Sequence, residues 1–238
     1  MRAAAGYRPD PSLPPVELRL PFTGPWSTVR TPAHRIPSHG THAFGQTFAF
    51  DFVALDQRGR TASVRDWRTV VGTEPVERFA GLGRPIVAPA RARVVTVHDG
   101  EPDHEARRSP VSLLAYSATQ GARLRRGVGA VAGNHVVLAL EDDSAFVLLA
   151  HLRRGSTVVV PGARLDAGDP VATCGNSGNS TQPHLHMHVM DAPSLIEARG
   201  LPVVFTDYQV GPPVRAAPRT AVRRGTPRRR EVVESIGR

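Results

Sequence analysis

His184 and His186 flank Leu185 in the run Pro183-His184-Leu185-His186-Met187-His188-Val189. On a β-strand successive side chains alternate between faces, so both imidazoles project from one side and can share one small ion or water. Leu185 and Met187 then point into apolar packing and fix the strand. Asp51 lies inside the apolar run Phe-Ala-Phe-Asp-Phe-Val. A buried, unpaired carboxylate there would cost several kcal/mol, so it needs a cation or strong donors unless its face is wet. Upstream, Ser38-His39-Gly40-Thr41-His42 is turn-like and carries two imidazoles. A loop His, a strand Asp and one His of the His-x-His pair supply three N and O ligands and leave a fourth tetrahedral position for water. Zinc held this way lowers the pKa of that water toward neutrality and polarises a carbonyl, the chemistry that amide hydrolysis requires. His151 ends the run Phe146 to Leu152, and by alternation it shares a face with Val147 and Leu149. It is either a core imidazole bonded to a carbonyl or a base aimed at the water.

The elements that must position these groups are short strands. The chain has 238 residues, with 22 Gly, 22 Pro and few aromatics, which favours one β-rich unit with many turns over a helical bundle. Alternating or apolar runs at 48–53, 86–87, 93–97, 135–140, 146–152 and 157–160 predict antiparallel sheets. The expected fold is mainly β, a compact open sandwich or barrel-like core. Short helices are expected within 65–70, 75–82 and 194–199, a last strand over 201–210, and a surface insertion or lid over 100–127. Residues 1–15 read as a flexible arm, 16–210 as the domain with its core at 35–190, and 211–238 as a disordered basic tail.

The formal charge of +9 comes mostly from arginines in that last segment, and the chain contains no Lys. Without interleaved aromatics or a recognisable binding motif, no nucleic-acid partner is expected; an anionic partner for the tail is the weaker reading. One cysteine, Cys174, excludes an internal disulfide. Met1 to Pro15 lacks the continuous apolar stretch of a signal peptide or anchor, and no membrane span is expected. A monomer is the expected state.

Beyond these residues, the order of several motifs over 39–189 resembles the zinc metallopeptidases of the M23 type, the lysostaphin-like and LytM-like peptidoglycan endopeptidases. The motifs are Pro85-Ile86-Val87-Ala88-Pro89-Ala90, Gly133-Asn134-His135-Val136-Val137, Ala150-His151-Leu152, Val160-Pro161-Gly162 with Gly168-Asp169-Pro170-Val171, and Gly175-Asn176-Ser177-Gly178-Asn179-Ser180-Thr181 before Pro183-His184-Leu185-His186. The resemblance implies one zinc ion per chain. Asp51 and His186 match metal ligands, and His151 and His184 match two nonligand histidines that orient or deprotonate the water and stabilise the oxyanion. The usual His and Asp are four residues apart. Here the first ligand is His39, twelve residues before Asp51 and favoured for its tight turn, or His42, nine before. Met187-His188 replaces the more usual aromatic-Glu; about 7 Å along the strand from His186, His188 reads as a cleft residue or as support for a ligand. Glycines Gly175 and Gly178 are expected to thin the cleft wall for an extended substrate. The implied activity is hydrolysis of a peptide bond in a peptidoglycan stem or cross-bridge, outside the cytoplasm. A noncatalytic module that binds wall or regulates another hydrolase is the alternative.

Overall fold

The computed structural model describes residues 13–118, 125, 127–141, 143–212 and 218–236. Most of the expected N-terminal arm therefore lies outside the described residues. The strands are β1 (Val16–Leu18), β2 (Trp26–Arg30), β3 (Phe50–Ala54), β4 (Pro85–Val87), β5 (Ala92–His98), β6 (Asn134–Leu140), β7 (Phe146–Leu152), β8 (Arg164–Leu165), β9 (Pro170–Thr173), β10 (Leu185–Met190), β11 (Gly200–Leu201), β12 (Val203–Gly211), β13 (Thr220–Gly225) and β14 (Val232–Ser235). Among the described residues there are also the short helices α1 (Trp67–Val71), α2 (Pro110–Ala118) and α3 (Val128–Ala132), and 3-10 turns at Ala43–Phe48 and Val76–Arg78.

One large sheet runs β1-β12-β14-β2-β3-β10-β7-β6-β5-β8, with β11 beside β10 and β13 beside β12, and a small sheet pairs β4 with β9. The large sheet stays open and does not close into a barrel. Its pairs are antiparallel apart from β1 with β12, which run parallel, so the antiparallel expectation fails at that edge. Alternation sorts the two faces as the sequence requires. Phe50, Phe52, Val136, Leu138, Val147, Leu149, Leu185 and Met187 point into the main core, where Ile86 and Val171 of the small sheet meet them. Phe22 stacks on Trp26 at 4.5 Å and sets its edge against Phe52 at 5.1 Å, joining the segment before β2 to β3. The opposite face carries a smaller apolar cluster including Val137, Leu148, Ala150 and Met190, and next to it the polar side chains described below.

The expected disordered tail is corrected by β13 and β14. Val232 and Val233 are buried, β14 is hydrogen-bonded between β12 and β2, and Arg219 pairs with Glu234. An apolar Val-Val step with a place in a sheet outweighs the solvation of the flanking arginines. Residues 157–160 form no strand, because only Val159 reaches the core while Val158 and Val160 face solvent. Over 194–199 the chain makes a single helical turn, Ala198 N–H to Ser194 O at 2.9 Å.

Of the segment expected as an insertion or lid, 119–124 and 126 lie outside the described residues, and the part around Ala106 and Arg108 is fastened down. Glu74 has a fully buried side chain, accepts from Arg108 Nε and Nη2 at 2.7 and 2.6 Å and from Thr69 Oγ1 at 3.0 Å, and its backbone bridges Ala106. The Arg108 fork first, and Thr69 with it, hold the Glu74 carboxyl below the usual glutamate range, against the upward pull of burial. A depressed folded-state pKa contributes stability that is present above the unfolded value and lost as pH falls through the folded one. Glu74→Gln is expected to cost about 3 kcal/mol at neutral pH and to flatten the acid limb of stability, as denaturant titrations between pH 3 and 7 would measure.

Candidate metal centre

Six residues stand directly opposite one another across the large sheet: Arg30 on β2, Asp51 on β3, His186 on β10, Ala150 on β7, His135 on β6 and His98 on β5. Direct cross-strand neighbours share a face, so this row forms the floor of the polar side. His184 and His188 flank His186 by strand alternation.

Two bulges adjust the row. On β2, Thr28 faces Phe52 and Arg30 faces Asp51, so Val29 is the extra residue and Arg30 is brought beside the carboxylate, with Nε 3.4 Å from Asp51 Oδ2. On β7, Ala150 faces His135 and Leu152 faces Asn134, which makes His151 the extra residue. Simple alternation would send His151 into the main core with Val147 and Leu149. Leu152 takes that place instead, and His151, at φ 61°, turns to the polar face with its ring centroid 4.7 Å from His184 and 5.8 Å from His186. Left-handed backbone at a non-glycine residue costs about 1 kcal/mol, strain of the kind found where a side chain must be re-aimed.

His39 Nε2 lies 3.0 Å from Asp51 Oδ2, and His186 Nδ1 lies 2.9 Å from Asp51 Oδ1. One ligand atom from each of His39, Asp51 and His186 lies within 4.8 Å of the other two, and all three side chains are largely buried. Ligand atoms about 2.0–2.2 Å from a tetrahedral zinc stand about 3.4 Å apart, so this donor set fits such an ion with small adjustments. The alternative first ligand, His42, is turned away, its Nδ1 3.0 Å from Thr47 Oγ1.

Hydrogen-bond partners fix which nitrogen each ring offers. Ser38 Oγ donates to Gln46 O (3.3 Å) and so accepts from His39 Nδ1 (3.0 Å), leaving Nε2 to face the cluster. His151 Nδ1 donates to Ser177 O at 2.9 Å, which leaves Nε2 bare as an acceptor. His184 Nδ1 donates to Gln182 O at 2.8 Å, beside Ser180 Oγ, and its Nε2 lies 3.6 Å from Asp51 Oδ1. His186 Nε2 meets His188 Nδ1 at 3.0 Å, so buried His188 holds the His186 ring with its Nδ1 toward the cluster. We expect His188→Ala to weaken zinc binding by about 10–100-fold while leaving the ligand set in place; competition with a chromogenic chelator measures this.

Burial pushes the Asp51 carboxyl up, yet the charges of His39 and His184 and the hydrogen bond with His186 outweigh it and hold the group well below the usual carboxylate range. Burial, reinforced by His184 and His186, drives His151 well below the ordinary histidine value and keeps it neutral. Burial also lowers His184, but the nearby Asp51 charge wins and raises it. Two adjacent histidines are thus pushed in opposite directions, the pattern that separates a proton acceptor from a proton donor.

The loop over 175–181 sets both rings, and the 100–118 segment holds that loop. Asp103 accepts from Asn176 N–H at 2.6 Å, while His104 Nε2 and Tyr116 Oη each donate to Gly178 O at 2.9 Å. Behind it, buried Asn134 binds Gly100 N–H, Glu101 N–H and Leu152 O, and Ser177 Oγ binds Asn134 N–H and Leu152 O. This segment is a buttress and not a lid over the centre. A Cβ on Gly175 would overlap the Arg153 backbone, and Gly178, at φ 69°, packs on Gly133. Packing within the protein, and not the approach of substrate, accounts for these two glycines. Asn134 and Ser177 were present in the quoted sequence motifs, but their supporting role follows only from the fold.

The sequence profile of peptidase family M23 matches residues 75–197. The chain belongs to peptidase family M23. The matched segment contains His151, His184, His186 and His188, whereas His39 and Asp51 precede it. Solved structures similar to the chain include a zinc-containing peptidase from Vibrio cholerae (18% identity, 77% of this chain and 35% of that one, TM-score 0.38). Others are the catalytic domain of the antimicrobial peptidase lysostaphin from Staphylococcus simulans (18%, 55% and 84%, 0.34) and LytU (18%, 82% and 88%, 0.37). The chain thus spans about a third of the Vibrio protein's length. A search of curated proteins found no match. Among the described residues, no helix is long and apolar enough to cross a membrane.

Proposed function

We propose that the chain is a zinc-dependent endopeptidase acting on stem or cross-bridge peptides of peptidoglycan, and therefore outside the cytoplasm. The observation that carries this reading is the meeting of His39, Asp51 and His186 beside two further histidines whose proton preferences are pushed apart. His39 Nε2, Asp51 and His186 Nδ1 would hold the ion, which when bound supplies a water of lowered pKa and a Lewis acid for the scissile carbonyl. The chain's own groups do the rest. His151, neutral and with Nδ1 engaged by Ser177 O, takes a proton at Nε2. His184, in the imidazolium form that the Asp51 charge favours, keeps Nδ1–H on Gln182 O, directs Nε2–H toward the centre and stabilises negative charge developing on the carbonyl oxygen.

Loss of one of these five side chains would favour a noncatalytic module, and all five are present. The test is digestion of purified peptidoglycan with zinc-loaded protein, reading new amino termini by mass spectrometry. The reading expects termini at one type of stem or cross-bridge position; unchanged wall after prolonged incubation would count against it.

A further inference from the structure

Three of the C-terminal arginines lie in a hydrogen-bonded turn alongside β2, the strand that carries Arg30. Residues 227–231 lie along β2. Thr31 Oγ1 donates to Pro227 O and Arg230 N–H to Thr28 O, both at 2.7 Å, and Thr28 N–H donates to Glu231 O at 2.9 Å. Arg228 N–H closes the turn on Glu231 Oε2 at 2.7 Å. These anchors bracket Arg30, whose guanidinium reaches Asp51 yet whose side chain is 47% exposed. Arg35, next to the His39 turn, donates to Ser38 O. Arg228, Arg229 and Arg230 are exposed, and Arg230 occupies left-handed backbone at φ 68°. Glycine would fit that position at lower cost, so the turn keeps an arginine against its conformational preference.

We propose that Arg228, Arg229 and Arg230, with Arg30 and Arg35, form a docking rim for the acidic groups of a peptide lying across the polar row. The proposal rests on the peptidase reading for the kind of partner, and deepens it by assigning an acidic flank on the β2 side. Guanidiniums grouped along an anchored turn favour carboxylates through paired N–H donors, and their contribution falls with added salt.

The test is fluorescence anisotropy with a labelled peptide carrying six glutamates and with a six-serine control of equal length. It compares wild type, Arg228→Ser/Arg229→Ser/Arg230→Gly, and the charge-matched remote triple Arg58→Ser/Arg65→Ser/Arg223→Ser. The rim triple should bind the acidic peptide about tenfold more weakly, with the difference shrinking at high salt. The remote triple and the serine peptide should show little change. Arg230→Gly alone should melt no lower than wild type, which separates lost binding from lost folding. Equal weakening by both triples would overturn the rim, as would an oligothymidylate of equal charge binding as tightly as the peptide. Because binding is read without turnover, a chain that captures the acidic peptide at the rim but cuts nothing sinks the peptidase reading alone.

Discussion

Asp51→Ala is expected to lose bound zinc and to reduce peptide hydrolysis to background, and His186→Ala to do the same. Asp51 is the hub: His39, His184, His186 and Arg30 all reach its two oxygens. Removing it deletes one ligand and leaves four cationic or imidazole groups converging on an empty place, so neither the charge balance nor the ring orientations survive. Asp51→Asn separates the two effects. It keeps the shape and an acceptor oxygen but removes the charge, and should retain the fold while binding zinc far more weakly. Metal content by mass spectrometry of untagged protein, with circular dichroism for folding, measures both.

His151→Ala and His184→Ala should keep the metal and lower kcat by about 10²–10⁴-fold, the usual range for a positioned acid or base. Their pH profiles should differ from those of a solvent-exposed histidine. A base acts only when deprotonated, and burial with two imidazole neighbours depresses His151 well below its ordinary value. Activity should therefore persist below the usual histidine range and fall only as pH drops through the lowered value. His151→Ala should abolish that acid limb in whatever activity remains. Full activity in either variant would remove the assigned roles.

The sequence made part of this centre legible because its chemistry is local. His-x-His on a strand and a carboxylate amid phenylalanines each have few physical explanations, and β10 and β3 pair with His186 directly opposite Asp51. The tight turn at Ser38-His39-Gly40 favours His39 over His42, and the structure brings His39 to the cluster. Alternation puts His151 on the wrong face, because a bulge adds one residue with no mark in the hydrophobic pattern. The same limit hid Arg30, which reaches Asp51 through the bulge at Val29.

The order of the tail is hidden in the sequence for a different reason. Thr220–Gly225 is an edge strand whose arginines face solvent, so its composition resembles a solvated chain; the buried Val232-Val233 step was the available signal. The fastening of 100–118 to the 175–181 loop depends on contacts between residues such as Asp103 and Asn176, 73 positions apart, which no local pattern encodes.

The most direct measurement is the zinc content of His39→Ala beside His42→Ala, each purified without a tag and dialysed against a weak chelator. We predict about one zinc per chain in wild type and in His42→Ala, and a loss of most of it in His39→Ala. Zinc retained at full occupancy without the His39 imidazole would contradict a centre built from His39, Asp51 and His186.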